Sequence, residues 1–367
     1  MRKHRCRCAL QEMTFSVMNL KNLLLLIFLG VLFARCSDES VSPTPIMNQG
    51  PAADSDLWLI PEDEIVERDE SIEPIDNPQF TRATNVNFLN DDDLVMVIPD
   101  GDGVKAYPHA ILNYHEVVND DEVGDESIAI TYSPLTGTGI GWNRVINGQE
   151  TTFAVADILF NTNLMPFDRL TQSTWSQQRL DCVNGDLIGT RAENFSFIEM
   201  EFRTLLDAFP DAQVMNTDTG FDRDYDVYPF DDYRTNHNSL LFPISTVDNR
   251  LLAKERTLGI INLNGRNKVY TFNDNEAMID AFTDNVGGEE LFIIRSQELN
   301  FIAAFINDRN LTLIEGEFPF VALDEDGIKY NVLGQSVSAV GFDLELPTQF
   351  VGYWFSWGTF YPDISLE

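Results

Sequence analysis

The 367-residue chain is 44% hydrophobic and 11% aromatic, enough to bury one large core or two coupled ones without help from disulfides or metals. Its formal charge of −35 sets up a field that repels phosphate backbones and anionic head groups, which excludes nucleic acid as a partner. Such acidity reads as a solvated, self-repelling surface suited to salty surroundings rather than as a collector of cations.

The N-terminus reads as a targeting segment. Arg2, Lys3, Arg5, Arg7 and Lys21 precede an apolar run from Leu23 to Ala34, which at about twelve residues is too short to span a bilayer. The run ends at Phe33-Ala34-Arg35-Cys36, followed by the polar Ser37-Asp38-Glu39-Ser40. This pattern resembles a bacterial lipoprotein signal over residues 1–35, in which Cys36 becomes the lipidated first residue, although Arg35 stands where a small residue is usual. The long basic stretch before the apolar run points to translation starting at Met18. The expected address is the cell envelope, extracytoplasmic, on the outer membrane or periplasmic face, with the membrane as partner through lipid on Cys36. Cys6 and Cys8 leave with the leader, so Cys182 remains alone and no intramolecular disulfide is expected. In the context LDCVNG, Cys182 reads as a small packed residue rather than a reactive thiol.

Residues 36–70 are rich in Ser, Pro, Asp, Asn and Glu and are expected to form a disordered tether. Order is expected from Glu73 to Phe80 onward, where Asp76-Asn77-Pro78 supplies turn chemistry. Beyond it the chain repeats itself. LVMVIPDGDGVKAY (Leu94 to Tyr107) lines up with TLGIINLNGRNKVY (Thr257 to Tyr270), each a β-rich run, a glycine turn and a second short strand. GDESIAITYS (from Gly124) likewise matches GEELFIIRSQ (from Gly288), Pro166-Phe167-Asp168 matches Ala322-Leu323-Asp324, and AFPDAQV (from Ala208) matches TFYPDISL (from Thr359). Two divergent β-rich repeats are therefore expected, over 71–216 and 250–367, joined by an acidic connector over 217–249.

Each repeat is expected to close with an amphipathic helix. In the first, Ser196 and Glu199 have capping-box spacing, and Ile198, Phe202, Leu205, Leu206 and Phe209 share a helical face before Pro210. In the second, Pro347-Thr348 starts a run with Val351, Trp354, Phe355 and Tyr361 on the apolar face, read as core aromatics. In the connector, Asp222, Asp224 and Asp226 alternate like ligands for a hard cation, but the glycine and terminal glutamate of an EF-hand loop are missing. A solvated loop is the better reading.

The polar residues with the character of a site concentrate between Lys105 and Trp142. There KAYPHAILNYHEVVND is followed by ITYSPLTGTGIGW, bringing His115, Glu116, Tyr132, Ser133, Thr136 and Thr138 between apolar runs. A second group comprises Asn161, Asn163, Asp168, Arg169, Thr171, Ser173, Trp175 and Gln177. These motifs, with FDRDYDVYPF and the terminal aromatic-PD run, resemble the bacterial domain of unknown function 3179 over roughly residues 75 to 367. Members of that family typically carry Cys-Pro-Leu-Cys where this chain has Ser133-Pro134-Leu135-Thr136. The departure implies that thiol exchange and soft-metal binding are lost here, because hydroxyls replace the thiolates that both require.

Ser133 and His115 remain catalytic candidates, with Glu116 or Asp120 as orienter of a hydrolase triad. The glycine two residues before the serine of a nucleophile elbow is missing, however. The second repeat has Ile279-Asp280 in place of His115-Glu116, so the polar signature belongs to the first repeat alone. The expected fold is α+β and predominantly antiparallel β, with two divergent repeats each closed by a helix. The expected function is a lipid-anchored binding protein. It would hold a small polar ligand or peptide in a cleft of the first repeat through His115, Glu116, Tyr132, Ser133, Thr136, Asn161, Asp168, Trp175 and Gln177. No metal or cofactor is expected. The alternative is a hydrolase-like or redox-derived enzyme centred on the Ser133-Thr136 loop with His115.

Overall fold

The computed structural model describes residues 57–69, 71–272, 277–338 and 342–367. The expected leader, Cys36 and most of the expected tether lie outside these residues. Among the described residues no helix is long and apolar enough to cross a membrane.

The principal elements of the first half are β1 (Leu94–Asp100), β2 (Gly103–Pro108), α1 (His109–His115), β3 (Val117–Val123), β4 (Glu126–Ser133), β5 (Thr138–Asn143), β6 (Phe153–Phe160), β7 (Asn163–Asp168), β8 (Ile198–Glu201), α2 (Phe202–Ala208) and β9 (Gln213–Met215). The second half holds β10 (Arg256–Leu263), β11 (Arg266–Thr271), β12 (Asp280–Val286), β13 (Glu289–Ser296), β14 (Phe301–Ile306), β15 (Gln349–Tyr353), α3 (Trp354–Phe360) and β16 (Ser365–Leu366). Sheet pairing is almost wholly antiparallel and the three helices have seven residues each, so the α+β class with dominant antiparallel β holds.

Four sheets dominate. In the first hairpin sheet β8, β1, β2 and β9 follow one another, with Phe80–Arg82 at the edge, and β9 runs parallel to β2. In the second hairpin sheet the order is β15, β10, β11, β16, with β16 parallel to β11. The first meander is β3, β4, β5 with Asn194–Phe195, and the second is β12, β13, β14. A five-stranded sheet built on β6 and β7 flanks the first meander, and residues 57–69 are laid onto it. Ile65–Glu67 pairs with β6, Ile60 is buried and the Leu59 amide donates to the Val183 carbonyl. The stretch expected to be tether is therefore fixed here by apolar burial and backbone pairing.

The strand period of two explains how these sheets stack. Val95 and Val97 of β1 join Phe292, Ile294, Phe301 and Ala303 of the second meander in one core. Met96 and Ile98, on the opposite face, join Val118, Ile128 and Ile130 of the first meander in another. Leu258 and Ile260 of β10 pack on Leu291, Ile293 and Ala304 of the second meander. Val269, Phe350, Trp354 and Trp357 pack on Ala129, Ile140 and Trp142 of the first meander, with Phe153 and Trp175. Each sheet is thus buried on both faces, which is why LVMVI, SIAITYS and LFIIRS read as nearly unbroken apolar runs.

The helices begin later than their apolar spacing predicts. Ile198–Glu201 is strand β8, paired with β1, and α2 starts only at Phe202. Ser196 does not cap a helix: its hydroxyl donates to the Pro347 carbonyl and accepts from the Gln349 amide. Likewise Gln349–Tyr353 is strand β15, and α3 starts at Trp354. Ile198-Glu199-Met200-Glu201 alternates apolar and acidic, and the pull of the β1 edge decides between the two periods in favour of the strand. Both helices end before Pro210 and Pro362, with Phe209 and Tyr361 as nearly superposable C-caps (φ −139° and −134°).

Candidate functional site

The structure distributes the residues singled out by sequence over several places. At the end of β4, Ser133 opens a four-residue hairpin loop, and its carbonyl accepts the Thr136 and Gly137 amides. Behind that loop lies a closed polar network. The Gln177 side-chain carbonyl accepts from the Thr138 hydroxyl and the Asn163 amide, both at 2.7 Å, while its NH₂ group donates to the Thr131 and Thr138 carbonyls. Asn163 also donates to Thr136 Oγ1 at 2.9 Å, and the Trp142 indole donates to Thr131 Oγ1 at 2.9 Å. Thr131, Thr136, Thr138, Asn163 and Gln177 are all fully buried, so these groups satisfy one another away from solvent.

His115 sits elsewhere, at the C-terminus of α1, with both ring nitrogens engaged. Nδ1 donates to the Glu73 carbonyl at 2.7 Å, which fixes the tautomer, and Nε2 lies 2.7 Å from the Tyr225 hydroxyl and accepts from it. Burial pushes its pKa below the ordinary histidine value. Glu116 caps α1 in the left-handed conformation (φ +55°), and Arg68 holds its carboxylate with two hydrogen bonds. Asp120 accepts from Lys105, Tyr107 and the Glu122 amide rather than from a histidine.

Asn161 and Thr162, at φ +52° and +66°, form the two-residue turn between β6 and β7. They pin the connector through the Ser245 amide and the Phe242 carbonyl. Asp168 is fully buried; it accepts from the Thr171 amide and hydroxyl and from the Trp175 indole, and Trp175 packs edge-on against Trp142 and Phe153. In the connector, the Asp224 carbonyl accepts from Tyr114, and the Asp224 carboxylate accepts from the Asp226 amide.

Of the nine residues expected to bind ligand, Tyr132 alone lines a polar cleft built from both halves of the chain. That cleft has about 340 Å³ of free space and takes lining residues from four sheets and their connections. Leu94 and Glu199 come from the first hairpin sheet, Tyr132 and Gly137 from the first meander, Arg256 and Tyr353 from the second hairpin sheet, and Asn300 from the turn after β13. His109 of α1 and Tyr228 and Arg234 of the connector add to it, and Asp92, Asp93, Asp226, Thr235 and Lys254 also line it.

Its inner wall is an ordered set of charges and rings. Arg256 donates to Glu199 at 2.9 Å and to the Asn300 side chain at 2.6 Å. His109 Nε2 lies 3.7 Å from Glu199 Oε2 and its ring packs on Tyr132 at 4.4 Å between centroids. Neither that nitrogen nor the Tyr228 hydroxyl, both shut from solvent, has a hydrogen-bond partner. Burial, then the nearby Arg256 and Arg234, hold the His109 pKa well below the ordinary value, so the imidazole is neutral at neutral pH. Burial raises the Glu199 pKa against the opposing pull of Arg256. It also keeps Tyr132 protonated and pushes Tyr353 up to about 12. Arg234 lies over the Tyr228 ring at 4.9 Å.

Sequence reasoning passed over His109, Glu199, Arg256 and Tyr353. His109 lies inside the stretch from Lys105 to Trp142, where His115 with its acidic neighbour carries the stronger pattern. Glu199 has the spacing of a capping box with Ser196, which its place in strand β8 excludes. The available signal was a charged residue in the middle of an alternating apolar strand, a position that burial makes expensive unless a partner waits across the interface.

A family model described as "Protein of unknown function (DUF3179)" matches residues 69–364. No curated protein and no solved structure matches the chain.

Proposed function

The chain belongs to the DUF3179 family, and from the cleft described above we propose that it is a binding protein for a small polar molecule. The observation that carries this reading is the unpartnered His109 Nε2 and Tyr228 hydroxyl on one wall of one cleft. A buried polar group without a partner costs about 1–3 kcal/mol, a penalty that a site bears when a ligand rearranges it. About 340 Å³ is metabolite-sized and too small for a folded partner. Tyrosine hydroxyls, a neutral imidazole and a guanidinium offer directional hydrogen bonds rather than an apolar slot.

In the same proposal, Cys36 bears the lipid and residues 37 to 56 tether the body to the envelope. The body is read as two divergent copies of one unit, a reading supported by the matching strand order of the two hairpin sheets. Ligand contact moves from His115, Glu116, Asn161, Asp168, Trp175 and Gln177, whose polar groups are engaged within the fold, to the cleft that Tyr132 shares with His109. Thiol chemistry has no place in the reading. Positions 133 and 136 carry hydroxyls, and burial pushes the Cys182 thiol up to about 12. A nucleophilic Ser133 with His115 as base is not favoured either, because both nitrogens of that imidazole are occupied.

Thermal melts of the full chain against sugars, amino acids, carboxylates and short peptides test the proposal. A bound class raises Tm in proportion to the logarithm of its concentration. Tyr353→Phe and Arg234→Ala are expected to weaken that response, and Ser133→Ala to leave it intact. A response indifferent to both cleft substitutions, or none from any class, counts against the reading.

A further inference from the structure

We propose that His109 and Glu199 form an acid–base dyad that activates water against a small carbonyl ester held in the cleft. This rests on the cleft being the ligand site and names what it does there.

One edge of the imidazole lies near a carboxylate, with Nε2 3.7 Å from Glu199 Oε2. Glu199 is 3% exposed and held in turn by Arg256 at 2.9 Å. Glu199 thus lies between Arg256 and His109, the most buried of three groups that all line the cleft. A carboxylate behind one ring nitrogen selects the tautomer with the proton on that nitrogen. The other nitrogen, Nδ1, makes no hydrogen bond to a described residue, and His109 lines the cleft, so the Nδ1 lone pair is the basic site offered to a bound molecule. The gap of 3.7 Å is long for a hydrogen bond, as catalytic contacts often are before substrate binds, and it closes with a small ring movement.

The remaining groups suit a carbonyl. Tyr132 and Tyr353 line the same space, neither hydroxyl is hydrogen-bonded to a described residue, and burial keeps both protonated. Two hydroxyl donors fixed in a poorly solvated wall stabilise negative charge developing on a carbonyl oxygen. The titratable and charged groups that share the cleft with the imidazole are Glu199 from β8, Arg256 and Tyr353 from the second hairpin sheet, Tyr132 from β4, Asp92 and Asp93 before β1, Tyr225, Asp226, Tyr228 and Arg234 from the connector, and Lys254 before β10. No serine or cysteine lines the cleft, and the two other nucleophilic groups in its lining are engaged, the Thr235 hydroxyl with the Asp232 carbonyl and the Lys254 amine with three backbone carbonyls of the connector, which leaves water as the nucleophile.

The step then balances without a cofactor. Water oxygen bonds to the carbonyl carbon while one of its protons passes to Nδ1, and the imidazolium is met by Glu199. The carbon–oxygen bond to the alcohol breaks, and the Nδ1 proton leaves on that alcohol. One ester and one water give one acid and one alcohol.

The test uses p-nitrophenyl acetate, an ester reactive enough that free imidazole cleaves it, with the full chain as catalyst. His109→Gln is expected to lower the rate about 100-fold, within the range of general-base catalysis, and Ser133→Ala to leave it unchanged. The wild-type rate is expected to fall with pH only below the ordinary histidine range. Glu199→Gln is expected to move that limb to still lower pH, because the imidazolium loses its carboxylate. A melt of each variant verifies folding, and the imidazole ¹⁵N spectrum of the wild type is expected to show neutral, Nε2-protonated His109 at pH 7. No turnover by the wild type, turnover indifferent to His109, or a proton on Nδ1 would overturn the dyad. Ligand-induced stabilisation surviving any of these results leaves the binding reading standing; its absence alongside turnover overturns binding of the tested classes alone.

Discussion

Tyr107 and Tyr270 hold the same place in the two hairpin sheets, each donating its phenolic proton at 2.7 Å to an aspartate on the adjoining meander, Asp120 and Asp284 respectively. A lysine two residues earlier completes each cluster: Lys105 binds Asp120 at 3.0 Å and Lys268 binds Asp284. The clusters differ in depth. The Lys105 and Asp120 side chains are 8% and 5% exposed, whereas those of Lys268 and Asp284 are 18% and 22% exposed and Lys268 also reaches Glu367.

Depth sets the penalty for breaking each pair. Removing one partner of a buried ion pair strands the other charge and costs about 3–5 kcal/mol, against about 0–1 kcal/mol for an exposed pair. Asp120→Asn is therefore expected to lower unfolding stability by about 3 kcal/mol or more. Asp284→Asn is expected to cost about half as much or less, because water and Glu367 remain available to Lys268. Urea melts of the two variants compare them directly, and equal losses would contradict the burial argument.

The network around Gln177 gives a second expectation. Gln177→Met keeps the length of the side chain but leaves the Thr138 hydroxyl, the Asn163 amide and two backbone carbonyls without that partner in a region closed to water. At about 1–3 kcal/mol per unsatisfied group, and with partial rearrangement, a loss of about 3 kcal/mol or more in a denaturant melt is expected. Thr136→Val removes fewer hydrogen bonds and is expected to lose about 1–2 kcal/mol. A near-neutral Gln177→Met would mean that the polar groups find other partners.

Acid should act through the buried imidazoles. Both His109 and His115 have pKa values lowered in the folded protein, chiefly by burial. Below the ordinary histidine value of about 6.5, the unfolded chain therefore binds more protons than the folded one, and stability falls as pH drops through that window. The slope is at most about 1.4 kcal/mol per pH unit for each histidine. Glu199, whose pKa is raised, acts with the opposite sign between the ordinary carboxylate value and its own, which blunts the loss at lower pH. His115→Gln is expected to flatten the slope of ΔG between pH 6.5 and 5.5 by up to that amount, as read from urea melts at several pH values.

How much of this was legible in the chain depends on whether the signal is local. Gly101 and Gly265, both at positive φ, mark the hairpin turns that the segments LVMVIPDGDGVKAY and TLGIINLNGRNKVY announce. Pro210 and Pro362 mark the helix ends. The helix starts were not legible, because Ile198, Phe202 and Leu205 satisfy a helical spacing while Ile198 and Met200 satisfy a strand one, and pairing with β1 decides. The cleft was less legible still. Glu199 and Arg256 are 57 positions apart and meet only because sheets from the two halves abut. Thr136 and Gln177 stand in the sequence as members of one expected ligand site, but residue types alone do not say whether such groups face a ligand or, as here with Asn163, one another.

Gly137 ties the hairpin loop to the cleft. It lies at φ +63°, and a Cβ there would sit 3.0 Å from the Tyr353 ring. Alanine at this position combines a left-handed backbone that a side chain disfavours with a contact that pushes on the tyrosine. Gly137→Ala is expected to cost about 1–2 kcal/mol in stability and to displace the Tyr353 hydroxyl from the wall it shares with Tyr132. Ligand-induced stabilisation and ester turnover should then both fall in a protein that still melts cooperatively, whereas Gly148→Ala, at a turn with nothing within 4 Å, should change stability without touching either readout. Retention of both activities by a folded Gly137→Ala protein would remove Tyr353 from the functional wall.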